Sequence, residues 1–174
     1  MEEQTTNSSH TALYVNDRFA YAISYPKKWE RQMLKAHGEI LESANGDGCT
    51  LFRDTNADVI VYAGWLMEEM DLLELHTDRL KDLSTEVVTN SSGEWTRICG
   101  SKDGRAVVRY VGVTEDVEYC LSIEATAEFM NENGPDIDSM FQSLSTEVKT
   151  IALNANVTPY KEYVALIRSD TDFT

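Results

Sequence analysis

The sequence has few of the residues that build disulfide frameworks and metal clusters. Its 174 residues include three cysteines, Cys49, Cys99 and Cys120, and no two of them form a Cys-x-x-Cys pair. An odd number of thiols without paired spacing argues against a disulfide framework and against a zinc cluster. At least one thiol is therefore expected to stay free in a monomer.

Long apolar runs are also missing, and none approaches the ~20 residues that a membrane-spanning helix needs. Residues 1–11 are polar and acidic, with neither the basic nor the apolar part of a signal peptide. They predict a disordered tail. Two compartments stay open: the cytoplasm, or an extracytoplasmic location with a signal that lies upstream of Met1.

Positive charge is scarce, because 15 Lys and Arg stand against 30 Asp and Glu, for a net charge of -15. Such a surface repels phosphate backbones and anionic lipid, which disfavours nucleic-acid and membrane binding. Hydrophobic residues make up 42% of the chain, enough for a packed core. With no repeat or linker to divide it, residues 12–174 are predicted to form a single domain.

Alternating apolar residues separated by turn residues predict a mainly antiparallel sheet. The predicted strands cover residues 13–15, 19–25, 39–44, 49–53, 58–64, 94–100, 105–113 and 117–125. The last three form a meander. Its turns place Cys99 opposite Ala106 and Cys120 opposite Tyr110, so their Cα atoms are expected about 16 Å apart, beyond the ~7 Å limit for a disulfide.

Three segments have the apolar spacing of helices. Leucines and acidic residues from Leu66 to Leu83 predict a long helix, and a second is predicted from Pro135, in the first turn, to Leu144. Thr158 and Pro159 resemble a helix start, which predicts an appended C-terminal helix at about 158–169.

Recognisable catalytic and metal-binding motifs are missing. The run Asp54-x-Asn56-x-Asp58 imitates the start of a calcium loop, but Val59 stands where glycine is needed. No His-x-x-x-His pair, Gly-x-Ser-x-Gly elbow or P-loop occurs. His76, on the predicted long helix, is expected to be a structural boundary residue rather than a catalytic base. We therefore predict no metal, cofactor or catalytic residue.

Several motifs, over roughly residues 13–145, follow the order seen in the Mog/PsbP-like superfamily. They are Phe19-x-x-x-Ile23-Ser24-Tyr25-Pro26-x-x-Trp29, the turn Asn45-Gly46-Asp47-Gly48, the strand Val59-x-Val61, the Trp95 strand, and Tyr119-x-Leu121-x-Ile123 before an Ile-x-x-Met-Phe helix. The chain resembles most the small bacterial members of uncharacterised function, which are often secreted or lipid-anchored. The resemblance implies the α+β class: a mainly antiparallel sheet between helices, as an α/β/α sandwich.

Well-described members of this superfamily act mainly as protein-binding or assembly subunits. The resemblance therefore implies a non-enzymatic module with a protein partner, and an extracytoplasmic location in a bacterium. Two alternatives stay open: a small-molecule binder with an aromatic cleft, and a hydrolase with a non-standard site. A pocket containing Trp65 would favour the binder, and a Cys or His touching paired carboxylates in a cleft would favour the hydrolase.

Charge placement suggests a candidate contact surface. Between Tyr110 and Val148 there are nine acidic residues and no Lys or Arg, whereas the segment from Pro26 to Lys35 is basic. An isolated positive corner on an acidic protein attracts acidic protein surface. The candidate partner-contact residues are Lys27, Lys28, Trp29, Arg31 and Lys35.

Overall fold

The structure is a computed structural model that describes residues 10–30, 32, 41–43, 45–67, 69 and 71–146. The predicted tail, apart from its last two residues, and the predicted helix at about 158–169 lie outside this range. No helix within it is both long and apolar enough to cross a membrane.

A seven-stranded antiparallel sheet forms the centre of the molecule. The elements are β1 (Thr11–Asn16), β2 (Tyr21–Pro26), β3 (Leu41–Glu42), β4 (Gly48–Arg53), β5 (Ala57–Trp65), α1 (Leu72–Thr77), β6 (Lys81–Asn90), β7 (Gly93–Lys102), β8 (Arg105–Val113), β9 (Val117–Ala125) and α2 (Ala127–Ser143). The sheet order is β3-β4-β5-β9-β8-β7-β6, and β1 and β2 form a separate hairpin. The predicted α+β class and antiparallel sheet are confirmed.

One face of the sheet, the core face, is buried beneath α2 and the β1–β2 hairpin. Aromatic rings fill one end of this core: Trp29 lies 5.3 Å from Phe52 and 6.0 Å from Phe129, measured between ring centroids. An antiparallel bridge between Ala22 and Ser145 ties the hairpin to the chain beyond α2. The fold therefore buries its largest side chains on one side of the sheet.

The opposite face, the open face, is covered by much less. Ile98, Val111 and Cys120 form a small buried cluster there, and Tyr62 and Leu80 pack against it. Within the described ranges, α1 is the only helix on this side. Among the described residues, the second helical layer of the predicted α/β/α sandwich therefore consists of this one helix of six residues.

The predicted long helix from Leu66 to Leu83 is wrong. The helix is confined to α1, because the Asp71 side chain caps its start by accepting a hydrogen bond from Glu74 N at 3.1 Å. Arg79 then adopts a left-handed backbone conformation with φ of 64°, which ends the helix. The following residues form β6, a strand that the helical pattern concealed.

The second helix also begins earlier than predicted. It starts after Thr126, whose hydroxyl accepts a hydrogen bond from Phe129 N at 3.2 Å, and Pro135 lies inside α2 rather than in its first turn. The predicted apolar face of this helix is buried against the core, from Ile137 to Leu144.

The meander forms as predicted, but its register differs. A two-residue turn, in which Asp103 and Gly104 both have positive φ, pairs Lys102 with Arg105. Cys99 therefore lies opposite Val108 instead of Ala106. Between β8 and β9, Val113 pairs with Glu118, which places Cys120 opposite Val111 instead of Tyr110. Cys49, Cys99 and Cys120 all lie within the described ranges, and none of them forms a disulfide there.

Candidate functional site

The open face carries a buried hydrogen-bonded pair that fixes α1 to the sheet. His76 lies in the last turn of α1, and its Nε2 is 2.9 Å from Oε2 of Glu118 on β9. Both side chains are buried. A buried carboxylate needs a partner, because leaving it unpaired costs several kcal/mol. The pair therefore holds the short helix in place.

Arg109 on β8 supports the same C-terminal end of this helix. One of its terminal nitrogens, Nη1, donates to the backbone carbonyl of His76. The other, Nη2, lies 3.2 Å from Glu124 Oε1, and Nε donates to Ser122 Oγ at 3.3 Å. A guanidinium at a helix C-terminus satisfies a free carbonyl and interacts favourably with the helix dipole.

Next to this network lies a thiol that is chemically inert. Cys120 is fully buried, and this burial raises the pKa of its thiol to about 12, although the Tyr62 hydroxyl and Arg109 oppose the shift. The neighbouring Tyr62 has its own pKa raised by burial. Because the thiolate is the reactive form, a thiol with this pKa is not a nucleophile near neutral pH.

Two grooves lie on the open face beside α1. The polar groove, of about 320 Å³, is lined by Asp58, Ile60, Tyr62, Leu75, His76, Arg109, Ser122 and Glu124. The apolar groove, of about 240 Å³, is lined by Leu72, Leu73, His76, Glu94, Thr96, Ile98, Val111, Gly112 and Val113. His76 contributes to both grooves, so the helix and its anchor separate them.

The charged groups of the polar groove already have partners. Arg53 Nε lies 3.1 Å from Asp58 Oδ1, Arg109 pairs with Glu124, and His76 pairs with Glu118. Among the described residues, no group of three or more His, Cys, Asp or Glu side chains could hold a metal ion. A charged ligand entering this groove has to displace an existing ion pair.

The apolar groove, in contrast, has exposed aliphatic side chains at its rim. Leu73 on α1 is 53% exposed and Val113 at the end of β8 is 57% exposed. The groove floor contains Ile98 and Val111. Exposed aliphatic side chains around a concave apolar surface are typical of a protein-contact site.

The basic segment has a mixed placement. Lys27 and Lys28 are exposed, and Lys28 Nζ lies 3.3 Å from Asp136 Oδ2 on α2. Trp29 is buried in the core between Phe52 and Phe129, so its ring is not available to a partner in this structure. Arg31 and Lys35 lie outside the described residues.

Trp65 lies at the end of β5 and is 60% exposed. Its ring packs on Phe19, with ring centroids 5.1 Å apart. It lines neither groove beside α1. The ring is therefore a surface group that packs, tilted by 57°, against Phe19 in the turn of the β1–β2 hairpin.

The sequence held only part of the signal for this site. The alternation of β9 predicts Glu118, Cys120 and Ser122 on one face of the strand, opposite the core residues. His76, 42 residues before Glu118, carries no sign of its partner, because only the fold brings α1 above β9. Leu73 and Val113 meet at one groove for the same reason.

Comparisons with known proteins bear on the fold alone. No protein-family model and no curated protein sequence matches the chain. The solution structure of cyanobacterial PsbP (CyanoP) from Synechocystis is similar, with 8% identity and a TM-score of 0.55 over 80% of this chain and 94% of that one. A crystal structure from Bacteroides thetaiotaomicron is similar with 10% identity and a TM-score of 0.47, over 82% of this chain and 50% of that one. The chain has a PsbP-like fold, as the motifs implied.

Proposed function

We propose, starting from the PsbP-like fold, that the protein is a non-enzymatic binding module whose apolar groove receives a side chain of another protein. The observation that carries this proposal is the pair of exposed aliphatic residues at the groove rim, Leu73 and Val113. A large apolar anchor seated in such a groove, with water excluded around it, supplies most of the binding energy in many interfaces.

Charge defines the partner further. Glu94 lines the apolar groove, and Glu74, Glu115 and Asp116 are exposed on α1 and on the turn after β8. The protein as a whole carries a net charge of -15. Charge complementarity therefore favours a partner that presents an apolar anchor flanked by Lys or Arg.

A hydrolase is supported less well, although His76 and Glu118 form a base and carboxylate pair. The exposed fraction of His76 is 4%, so a substrate has little access to the ring. Cys120 is protonated near neutral pH, and Ser122 Oγ is engaged by Arg109. A nucleophilic mechanism needs an accessible nucleophile beside the base. The pair is better explained as the anchor of α1.

A small-molecule binder is the other alternative, and the polar groove has a suitable size for it. Its charged groups are matched within the protein, which leaves a ligand few unsatisfied partners. Trp65, the aromatic residue expected in such a cleft, lies at the surface instead, where its ring contacts Phe19. We therefore place this alternative second.

Site-specific photocrosslinking in the native cell tests the proposed surface. A photoreactive amino acid replaces Leu73 or Val113, and Leu13, an exposed residue of β1, serves as the control position. We expect one partner to crosslink from both groove positions and not from residue 13. The partner is then purified, and Leu73→Asp is expected to weaken its binding at least tenfold without changing the melting temperature.

The same experiment tests the basic segment as a contact surface. Lys27 is exposed, so a photoreactive residue at that position reports on the corner formed by Lys27 and Lys28. Crosslinks from position 27 alone assign partner contact to the basic segment and overturn the groove proposal. If positions 73 and 113 do not crosslink to a common partner, the groove proposal is also overturned.

We also propose that the protein works outside the cytoplasm of a bacterium. Support comes from its likeness to secreted and lipid-anchored superfamily members. The test adds protease to cells whose outer envelope has been permeabilised while the cytoplasmic membrane stays closed. Digestion of the protein alongside an extracytoplasmic marker is expected, and protection alongside a cytoplasmic enzyme contradicts the proposal.

A further inference from the structure

We propose that the outer edge of β6 binds an extended strand of the partner protein, which continues the sheet beyond β6. This inference rests on the proposed function, because it adds a second contact for the same partner. β6 is the terminal strand of the sheet, and no strand in the described part of the chain pairs with its outer side. Eight of its ten residues are exposed. Such an edge is a template for strand addition.

The backbone groups available at this edge follow from the ladder. Ser91 and Ser92 form a two-residue turn, so Asn90 and Gly93 close the hairpin as a hydrogen-bonded pair. Hydrogen-bonded and non-hydrogen-bonded pairs then alternate along β6. The N–H and C=O groups of Thr85, Val87 and Thr89 therefore point away from β7. The Thr89 carbonyl accepts a hydrogen bond from Gln142 Nε2 at 3.4 Å, so the edge offers an incoming strand the three N–H groups and the carbonyls of Thr85 and Val87.

Within the described part of the chain, the usual protections of an edge strand are missing from β6 between Thr85 and Val88. Proteins blunt such edges with proline, lysine, bulges or covering segments. The irregular pairing between Lys81 and Ser84 protects one end only, and residues 84–90 contain neither Pro nor Lys. The carboxylate of Glu86 is 2.9 Å from Arg97 on β7, so its charge is partly neutralised.

The side chains of β6 define the chemistry of the added strand. Thr85, Val87 and Thr89 lie on the open face, and Val87, 67% exposed, pairs with Thr96 of the apolar groove. The edge is thus continuous with the proposed contact surface. The matching strand has apolar β-branched residues on this side. On its other side, which meets Glu86, it has Lys or Arg.

A second copy of this chain fits less well than a basic partner strand. Each copy carries a net charge of -15, so two copies repel each other. The occupant of the edge is therefore inferred to be a segment of a different protein, rich in valine, isoleucine or threonine and positively charged.

Amide hydrogen exchange, followed by NMR on the full chain, tests this inference. The probe is the capped peptide Lys-Val-Thr-Val-Lys-Val-Thr-Val at millimolar concentration, and the control peptide has proline at both threonine positions. With the probe, exchange at Thr85, Val87 and Thr89 is expected to slow, while Glu86 and Val88, already bonded to β7, change little. Unchanged exchange at all three amides overturns the inference.

Variants of β6 supply an independent readout. Val87→Pro removes an outward donor at an edge position where proline is tolerated, and Val87→Thr keeps that donor. We expect at least tenfold weaker peptide binding for Val87→Pro and near-normal binding for Val87→Thr. Equal binding by two folded variants overturns the inference. If Val87→Pro does not fold, the exchange pattern of the natural chain decides.

The outcomes separate this inference from the proposed function. If Leu73→Asp abolishes partner binding while the three β6 amides stay unprotected by that partner, the groove proposal stands and the edge inference fails. If protection develops with protein concentration alone and the chain forms dimers, a second copy occupies the edge. That result also overturns the inference.

Discussion

Gly112 on β8 lies directly against the ring of Trp95 in the core. A Cβ atom at this position would lie 2.5 Å from a ring carbon of Trp95, a distance at which one group has to move. The Trp95 ring is fixed, because its Nε1 donates to Asn90 Oδ1 at 2.8 Å and it packs edge-on against Phe141. Glycine is required here for space rather than for backbone conformation.

Gly112→Ala is therefore expected to reduce the free energy of unfolding by about 1–3 kcal/mol, the usual cost of overpacking. Urea unfolding, followed by circular dichroism, measures it. Gly64→Ala on β5 is the matched control, because a Cβ there meets nothing within 4 Å. Its effect should be small or stabilising. Equal losses in both variants would contradict the steric explanation.

Cys120 makes a specific contribution to stability at alkaline pH. Its pKa is raised by burial to about 12 in the folded protein, against about 8.5 in an unfolded chain. Above pH 8.5 the unfolded state loses this proton first, so the free energy of unfolding falls as pH rises towards 12. The slope from one such group is about 1.4 kcal/mol per pH unit.

Cys120→Ala is expected to make this alkaline decline shallower by about that amount per pH unit between pH 9 and 12. Urea unfolding at a series of pH values measures the slope. Cys99→Ala, at a partly exposed position, is the comparison. The buried tyrosines add their own decline to every variant, so only the difference in slope is informative. An unchanged slope would contradict the assignment.

The helices and strands differ in how well the sequence predicts them. β9, whose apolar and polar residues alternate cleanly in the sequence, lies where that alternation predicts a strand. β6 was missed because it is exposed on both faces, so no alternation marks it. The leucines before it spread over a helical stripe, yet Leu73 and Leu75 are exposed and Leu80 lies beyond the helix. The helical spacing of these leucines therefore does not indicate which of them are buried.

The sequence predicts which residue types are exposed near the candidate site, but it does not predict which of these residues contact each other. The sequence pointed to exposed lysines at 27 and 28, and both are exposed. It left both a core position and an interface position open for Trp29, and the structure buries the side chain. The grooves escaped prediction altogether, because they depend on the position of a helix six residues long.

Helix α1 is expected to depend on the hydrogen-bonded pair of His76 and Glu118. Glu118→Ala leaves the buried His76 without this partner and should cost about 1–3 kcal/mol, the range for leaving a buried polar group unsatisfied. His76→Ala leaves the carboxylate alone, with a similar cost. The double variant should lose less than the sum of the two. Urea unfolding of all four proteins gives the coupling energy, and a value near zero would contradict the anchoring role.

Across the whole molecule, the excess of negative charge opposes the folded state. Fifteen unbalanced charges repel more strongly in a compact chain than in an expanded one. Salt screens this repulsion, since the Debye length falls from about 30 Å at 0.01 M to about 8 Å at 0.15 M. Stability is therefore expected to depend on ionic strength.

The melting temperature should rise as NaCl increases over this range, measured by differential scanning calorimetry at neutral pH. Lys27→Glu, at an exposed lysine, makes the charge more negative and should give a steeper rise. A melting temperature that is constant or falls with salt would show that attractive ion pairs, such as Arg109 with Glu124, outweigh the repulsion.

The pairing of β5 with β9 sets the order in which the sheet can be completed during synthesis. It places Val61 opposite Leu121, so the central pair of strands cannot form until β9 has been synthesised. The strands β6 to β9 pair with their sequence neighbours and can assemble as a unit. The strands β3 to β5 leave the ribosome earlier, with β5 paired to β4 on one side and its other edge still without β9. Long-range pairings of this kind slow folding, and the nascent chain exposes the apolar strand β5 until its last neighbour arrives.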